Sequence, residues 1–343
     1  MSEKVNRLWY KRHLSPWLWW CIPLTWFFIL VSGLRRLLFR LRLRKTYQAD
    51  VPVIVIGNIS VGGTGKTPLT MALVELLQAN GFKPGIVSRG YRGEGPFPQQ
   101  VNADSNPAQV GDEPYMMAVV TGVPVVVAPK RAEAVKILTE QNDVDVVLSD
   151  DGLQHYRLGR DIELAVVDAA RGLGNGWRMP CGPLREGWRR LKRADHVLIN
   201  GAKDTEHAAK VLPKLAKHKP PVAMQIAAQG WRRVTDGSEI ETPDGESVVA
   251  VAGIGNPKRF FNLLSGEGLD IMETRVFDDH HHFSASDFFN VSNLYPVVMT
   301  EKDAVKCRSF ARPHWYYLKV AAQLPESFNA ALIQQIRGLN NDH

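Results

Sequence analysis

Acidic residues are nearly absent from the first fifty positions of this 343-residue chain: Glu3 and Asp50 face ten Lys and Arg, a local balance of +8. The whole chain carries +7, so the remaining residues are close to neutral, at −1. Basicity therefore belongs to the leader, and no cationic stripe on the rest asks for nucleic acid. Cysteine is also scarce. Cys21, Cys181 and Cys307 are too widely spaced for a disulfide framework or a zinc site. There is no internal repeat and no low-complexity tract, and an apolar content of 45% excludes wholesale disorder. The length is enough for one large core or two modest ones.

Charge is missing altogether between His13 and Arg35, over the 21 residues Leu14–Leu34, long enough to cross a hydrocarbon layer as a helix. Pro23 falls mid-segment, and Trp9, Trp17, Trp19 and Trp20 crowd its first half, as in an interfacial ring. Arg35, Arg36, Arg40, Arg42, Arg44 and Lys45 follow as a cationic collar suited to anionic headgroups. No small-residue cleavage site follows, which argues against a signal peptide. The expectation is a membrane anchor whose depth is open. Six basic residues after the segment, against Lys4, Arg7, Lys11 and Arg12 before it, favour a cytoplasmic collar.

The apolar run Pro52–Gly57 leads into Asn58-Ile59-Ser60-Val61-Gly62-Gly63-Thr64-Gly65-Lys66-Thr67-Pro68. Strand, glycine-dense turn, lysine, hydroxyl residue and helix in that order build a phosphate-binding loop. Ser60 through Gly65 would turn backbone N–H groups inward, Lys66 would reach the β- and γ-phosphates, and Thr67 would offer its hydroxyl to Mg2+. Ser60 stands where the usual pattern has its first glycine.

Further apolar runs at 85–88, 124–128, 144–149, 163–168 and 196–199 alternate with helix-like segments, as in a parallel α/β sheet covered on both faces. The run 144–149 ends in Asp150 and Asp151, where acids at the carboxyl edge of a sheet could organise a metal. Gln154 and His155 follow, facing the same edge or capping a helix. Gly111-Asp112-Glu113-Pro114 reads equally as a helix start with favourable acids. Lys130 and Arg131 follow a strand at the edge where phosphates would lie. Two glycine- and arginine-bearing loops, 88–93 and 173–186, read as mobile site walls suited to an acidic or phosphorylated sugar. Polar, turn-rich sequence at 228–247 reads as a hairpin or linker between two lobes, and strands at 248–252, 270–276, 295–299 and 315–318 suggest a second α/β unit. Gly253-Ile254-Gly255 reads as a tight strand-to-helix turn. Asp278-Asp279-His280-His281-His282 is a poor zinc site, since consecutive histidines share no helix face, but one of them beside an acid could serve as, or tune, a general base. In that case the two lobes must meet.

Taken together, the loop 57–68, Ser88-Arg89-Gly90-Tyr91, Val110–Pro114, Ser149–His155 and Asp279-His280-His281 make the chain resemble the tetraacyldisaccharide 4'-kinase family of lipid A synthesis, from the leader to about Leu318. The resemblance implies an α/β fold with a P-loop NTPase-like parallel sheet, a smaller C-terminal α/β lobe and an N-terminal membrane helix. It gives the division 1–45 anchor, 46–227 catalytic lobe, 228–247 linker and 248–343 smaller lobe. It implies transfer of the ATP γ-phosphate, with Mg2+, to the 4'-hydroxyl of an acylated glucosamine disaccharide 1-phosphate, giving lipid IVA at the cytoplasmic side of a bacterial inner membrane. Inner-membrane lipids are the expected surroundings, and no nucleic acid or obligate protein partner is expected. Carried over by residue, Lys66 and Thr67 resemble the phosphate and metal ligands, with Asp150 and Asp151 the metal-organising acids. Asp112 resembles the base, assisted by His280 with His281 as rival, and Arg131 an arginine at the transferring phosphate. Arg89, Gln154, His155, Arg185 and Glu186 fall on the substrate or metal side. The alternative is a membrane-associated P-loop NTPase coupling hydrolysis to a partner or lipid, which would need no acceptor sugar; a nucleotide-gated adaptor would turn over nothing.

Overall fold

Thirteen β-strands form one sheet in the computed structural model, which describes residues 3–342 apart from Arg12, Asp244, Glu246, Ser292 and Asn293. Arg12 of the leader's basic count and Asp244 of the expected turn at 242–245 thus lie outside the described residues. In chain order the strands are β1 (Val53–Gly57), β2 (Pro84–Ser88), β3 (Gln99–Val101), β4 (Val125–Val127), β5 (Val146–Ser149), β6 (Ile162–Asp168), β7 (His196–Asn200), β8 (Val222–Arg233), β9 (Glu239–Ile240), β10 (Ser247–Ala252), β11 (Asp270–Val276), β12 (Val297–Thr300) and β13 (Trp315–Gln323). Across the sheet they run β11-β10-β12-β13-β8-β7-β6-β1-β5-β2-β4-β3, with β9 hanging on β8 as a hairpin.

Strands β1, β2, β4, β5, β6 and β7 pair in parallel and are buried almost throughout, as expected for β-branched runs covered on both faces. One face packs Leu69, Leu73 and Leu77 of the helix Lys66–Ala79; the other packs Val135 and Leu138 of the helix Arg131–Gln141. Gly81, at φ 83, follows the first of these helices where Asn80-Gly81 reads as a stop.

β8 joins the two halves of the sheet. Its first residues pair in parallel with β7 and its remainder runs antiparallel to β13, so the sheet continues without a break. The start of this strand is not apparent in sequence because Ala and Gln dominate Val222–Gln229, and partners on both sides hold it there. Beyond β8, strands β10 to β13 and the helix Pro257–Gly266 form two further apolar clusters, one on each face. The final helix, Glu326–Asp342, turns back: Phe328, Leu332, Ile333 and Ile336 belong to the cluster under β1 and β5.

The leader forms a short helix Glu3–Trp9, a 3-10 turn Pro16–Cys21 and the helix Ile22–Arg40. Residues 16–40 are long and apolar enough to cross a membrane. Only one face of this segment is docked. Leu18, Cys21 and Thr25 are buried, the Cys181 amide donates to Thr25 Oγ1 at 3.1 Å, and Arg36 reaches Glu186 at 2.8 Å. Trp17, Trp20, Trp26, Phe27 and Leu30 are all more than 60% exposed, an apolar strip that water would not tolerate on a soluble surface.

Beneath the docked helix, Glu163 of β6 is buried between Arg160 and Arg190, accepting from Arg190 at 2.7 Å and from Arg160 at 2.9 Å. Burial alone would raise its pKa, but the two guanidiniums prevail and hold it below the usual carboxylate range. The stability it contributes is present above the unfolded pKa and is lost only as pH falls through the lowered folded value. Glu163→Ala leaves the buried Arg190 without its close carboxylate and the half-buried Arg160 with backbone carbonyls alone, and a loss of about 3 kcal/mol is expected. A melting temperature indistinguishable from wild type in detergent would show the triad to be energetically idle.

Candidate active site

The carboxyl ends of the parallel strands supply the site, as in open α/β sheets generally. β1 delivers the phosphate loop, β2 Arg89, β4 Lys130 and Arg131, β5 Asp150 and Asp151, and β7 Asn200. Gly65 caps the helix Lys66–Ala79 at φ 88, and a Cβ there would drive into the Asn200 amide, so backbone conformation and packing both require glycine. Asn200 donates to the Thr64 carbonyl at 2.9 Å, and Asn58 donates to the Gly62 carbonyl at 3.3 Å and to Thr64 Oγ1 at 3.2 Å. These two asparagines hold the loop from either side. Ser60 is buried and bridges Leu184, and the Val61 amide donates to the Pro183 carbonyl at 2.8 Å.

The 173–186 segment, expected as a mobile wall, is fastened at both margins. Arg185 donates its amide to the Ile59 carbonyl at 2.7 Å, Trp9 donates to the Pro180 carbonyl at 2.9 Å, and Glu186 is buried under Arg36, Gln154 and Tyr156. Burial and the Glu186 charge push the Tyr156 phenol up to about 12, which keeps it a donor. Gln154 also donates to the Asn58 carbonyl at 2.9 Å, tying this cluster to the loop, and residues 151–161 form turns in place of a capped helix.

Lys66 Nζ lies 3.5 Å from Asp151 Oδ1, and Arg185 lies 3.3 Å from Oδ2. Burial opposes ionisation of Asp151, but Lys66 and Arg185 outweigh it and draw the pKa down to about 2. Asp151 sits at φ 45, a left-handed conformation that Asp tolerates better than most residues. Its neighbour behaves oppositely. Asp150 is buried at 2% exposure, takes a 3.4 Å hydrogen bond from Thr70, and is pushed up to about 7 by burial, with Glu113 adding to the rise. An acid in that state is neutralised by a proton or by a cation. Asp151 Oδ1 has no hydrogen-bond partner, and the two carboxylates, with the hydroxyl of Thr67 next to Lys66 at the start of the helix, offer hard oxygens. That set fits Mg2+, which uses one or two carboxylates and completes its shell with water and phosphate. Among the described residues no three His, Cys, Asp or Glu side chains form a metal cage by themselves.

Arg131 is buried at 2% exposure, donating to the Ala128 carbonyl at 3.1 Å and the Asp150 carbonyl at 2.8 Å. Desolvation lowers its pKa to about 10, so it remains charged at neutral pH. Arg89 is exposed at the end of β2, and its charge acts on Arg131 and His155.

Across from these edges Asp112 opens the helix Asp112–Thr121, set by Gly111 at φ 93. It is buried at 5% exposure and meets His280 Nδ1 at 3.3 Å and Lys306 Nζ at 3.6 Å. Burial would raise the Asp112 pKa, but the His280 hydrogen bond and the Lys306 and Lys302 charges hold it below the usual range. His280 adopts φ 67 and packs its ring edge-on to Tyr91 at 5.6 Å. His281, the rival for the Asp112 contact, instead reaches Asp287 at 3.3 Å, with its ring packed against Phe277 and Phe283. The two halves of the molecule therefore already touch at Asp112. Lys302 reinforces the contact by bridging Glu113 at 3.3 Å and Asp279 at 3.1 Å, and Arg92 donates to the Asp279 carbonyl at 2.8 Å.

Several contributors are not apparent in sequence: Asn58, Thr70, Asn200, Arg259, Lys302 and Lys306. Arg259 reaches Asp168 at 3.3 Å and Asn200 at 2.8 Å, linking the helix Pro257–Gly266 to the loop's support. The spacing of Lys302 and Lys306 on one helix directly after an apolar strand was the available signal. Gly253 makes the tight turn after β10 and donates its amide to Asp303 at 2.9 Å.

A family model described as tetraacyldisaccharide-1-P 4'-kinase matches residues 17–337. A tetraacyldisaccharide 4'-kinase of Idiomarina loihiensis is 47% identical over 340 residues, covering 99% of this chain and 99% of that protein. Its counterpart from Aeromonas salmonicida is 46% identical over 336 residues, covering 98% and 97%. Among solved structures, the "apo" form LpxK from Aquifex aeolicus in complex with ATP superposes with a TM-score of 0.78 at 25% identity, over 92% of this chain and 98% of that one.

Proposed function

The chain belongs to the tetraacyldisaccharide-1-P 4'-kinase family, and on that premise we propose how its residues divide the work of an ATP-dependent kinase that phosphorylates the 4'-hydroxyl of tetraacyldisaccharide 1-phosphate to form lipid IVA. The juxtaposition that carries the division is the buried Asp112–His280 pair facing the strand ends that bear Lys66, Asp150 and Asp151. The phosphate loop and Lys66 hold the ATP phosphates, and Thr67, Asp150 and Asp151 hold Mg2+. Bound there, Mg2+ supplies charge neutralisation to the phosphate oxygens. Asp112 receives the hydroxyl proton late in the transfer, and His280, fixed by Lys302 and Tyr91, orients the carboxylate and tunes its basicity. Arg131 braces the ends of β4 and β5 through their carbonyls, and its charge beside Asp150 would act on the transferring phosphate. Arg185 keeps Asp151 ionised, while Gln154 and Glu186 lock the loop to the leader helix.

The leader helix lies in one leaflet, with its collar on the cytoplasmic side. Thr25 and Arg36 are tethered to the same lobe although 11 residues apart, a rise of about 16 Å along a helix against a layer of about 30 Å, which supports this shallow placement. Its exposed aromatic strip enters the acyl region while the sugar of the lipid stays at the strand ends. Residues 46–227 and 248–343 act as two lobes joined through 228–247, with β8 as the shared strand.

The direct test incubates detergent-solubilised protein with γ-labelled ATP, Mg2+ and the tetraacylated disaccharide 1-phosphate. Label at the 4' position is expected, with loss of labelling on chelation by EDTA and recovery with excess Mg2+. Acceptor-independent hydrolysis without lipid labelling would favour the coupled-NTPase reading.

A further inference from the structure

A cavity of about 320 Å³ opens between the basic collar and the ends of β4 and β5. Arg35, Arg44, Lys130 and Arg157 surround it, and Arg131 and His155 also line it. Glu133 is the only acid among its lining residues, and Lys130 already engages it at 2.8 Å. Arg35, Arg44 and Arg157 have no ion-pair partner among the described residues. Arg131 is 2% exposed, and its Nε has no hydrogen-bond partner although its other nitrogens are satisfied. The field is positive enough to act on His155: burial, aided by Arg131, Arg89 and Arg35, pushes that imidazole down to about 4, so it adds no charge of its own at neutral pH. Unpaired guanidiniums converging on a chamber, with a buried unsatisfied donor in its wall, make an anion site lacking only its anion.

We propose that this cavity receives the phosphomonoester that the acceptor already carries at its 1-position, so that the existing phosphate orients the sugar for transfer at the other end. The assignment rests on the kinase reading. A phosphomonoester brings nearly two charges and three acceptor oxygens, which suits several forked guanidiniums; the diester of a bulk phospholipid brings one charge. The position agrees. Arg131 hydrogen-bonds the Asp150 backbone at the cavity's inner end, while Arg35 stands on the leader helix among exposed Leu34 and Leu37. One lipid could therefore place acyl chains on the helix, a phosphate in the chamber and a hydroxyl near the strand ends.

The test compares wild-type protein with Arg35→Ala and Arg157→Ala, full length in neutral detergent micelles, on two acceptors: the tetraacylated disaccharide with and without its 1-phosphate. Wild type is expected to show a lower KM for the phosphorylated acceptor. Each variant should raise that KM about tenfold or more, the weight of a charge-assisted contact, while leaving the KM for ATP and the kinetics on the dephosphorylated acceptor unchanged. Equal effects on both acceptors, or no preference in wild type, would overturn the assignment. So would an effect of the variants that appears only when phosphatidylglycerol is added and ignores the 1-phosphate, which would give the site to a lipid headgroup. Failure of wild type to phosphorylate either acceptor would count against the kinase reading itself.

Discussion

Lys66→Ala is expected to lower kcat by roughly 10²–10³-fold and to raise the KM for ATP, while folding and membrane association stay intact. Phosphoryl transfer leaves a protein little covalent chemistry to perform, so positioning and charge carry most of the barrier reduction. Lys66 is the first residue of the helix behind the phosphate loop, and among the described residues its ion pair is the 3.5 Å contact with Asp151. Removing it does not strand that carboxylate, because Arg185 remains 3.3 Å away. The loss should therefore appear in kinetics and not in the melting curve. Lys66→Arg keeps the charge but exchanges a compact ammonium for a planar fork, and should recover little. Turnover within threefold of wild type in Lys66→Ala, with unchanged circular dichroism, would remove Lys66 from the transfer step.

The phosphate loop was legible because its chemistry is local: a strand, glycines free to adopt positive φ, a lysine and a hydroxyl must lie next to one another in the chain. The acids Asp150 and Asp151 were legible for the same reason, since a buried strand of Val and Leu ending in two carboxylates points them at a sheet edge. What surrounds them was not. Asn200 meets the loop, Arg259 meets Asn200 and Thr70 meets Asp150 only because the strand order places β7, the helix Pro257–Gly266 and β5 nearby, and no local pattern encodes strand order. The anchor's composition announced a membrane, yet its docking depends on Thr25 and Arg36 finding partners about 150 residues away. Likewise the final helix is amphipathic by itself, and only tertiary contact shows that it returns to the first core.

The choice between neighbouring histidines shows the same boundary. Residue type supports either His280 or His281 as the partner of Asp112, and a one-residue slip in a turn exchanges them. The positive φ of His280 decides it by aiming that ring at Asp112, while the aromatic pocket of Phe277 and Phe283 holds His281 toward Asp287. A residue held in a sparsely populated backbone region at a buried carboxylate is a sign that position matters more than local comfort.

That pairing yields the second large effect. Asp112→Asn keeps the shape of the side chain but removes the proton acceptor, and a loss of roughly 10²–10⁴-fold in kcat is expected with little change in the KM for ATP. His280→Ala should act differently, through pH. The groups facing Asp112 are His280, Lys306 and Lys302, and burial opposes all three. In wild type the cations and the hydrogen bond prevail, so the carboxylate stays ionised down to pH below its ordinary range. Deleting His280 removes the strongest of the opposing contributions, burial gains, and the Asp112 pKa must rise. The acid limb of kcat/KM should therefore move toward neutral pH in His280→Ala, with activity recovering in part as pH increases, whereas Asp112→Asn should be slow at every pH. His281→Ala, whose ring faces Asp287, should keep the wild-type profile. If the acid limb stayed in place in His280→Ala while the rate fell uniformly, His280 would not be tuning Asp112 but handling the proton or the phosphate itself.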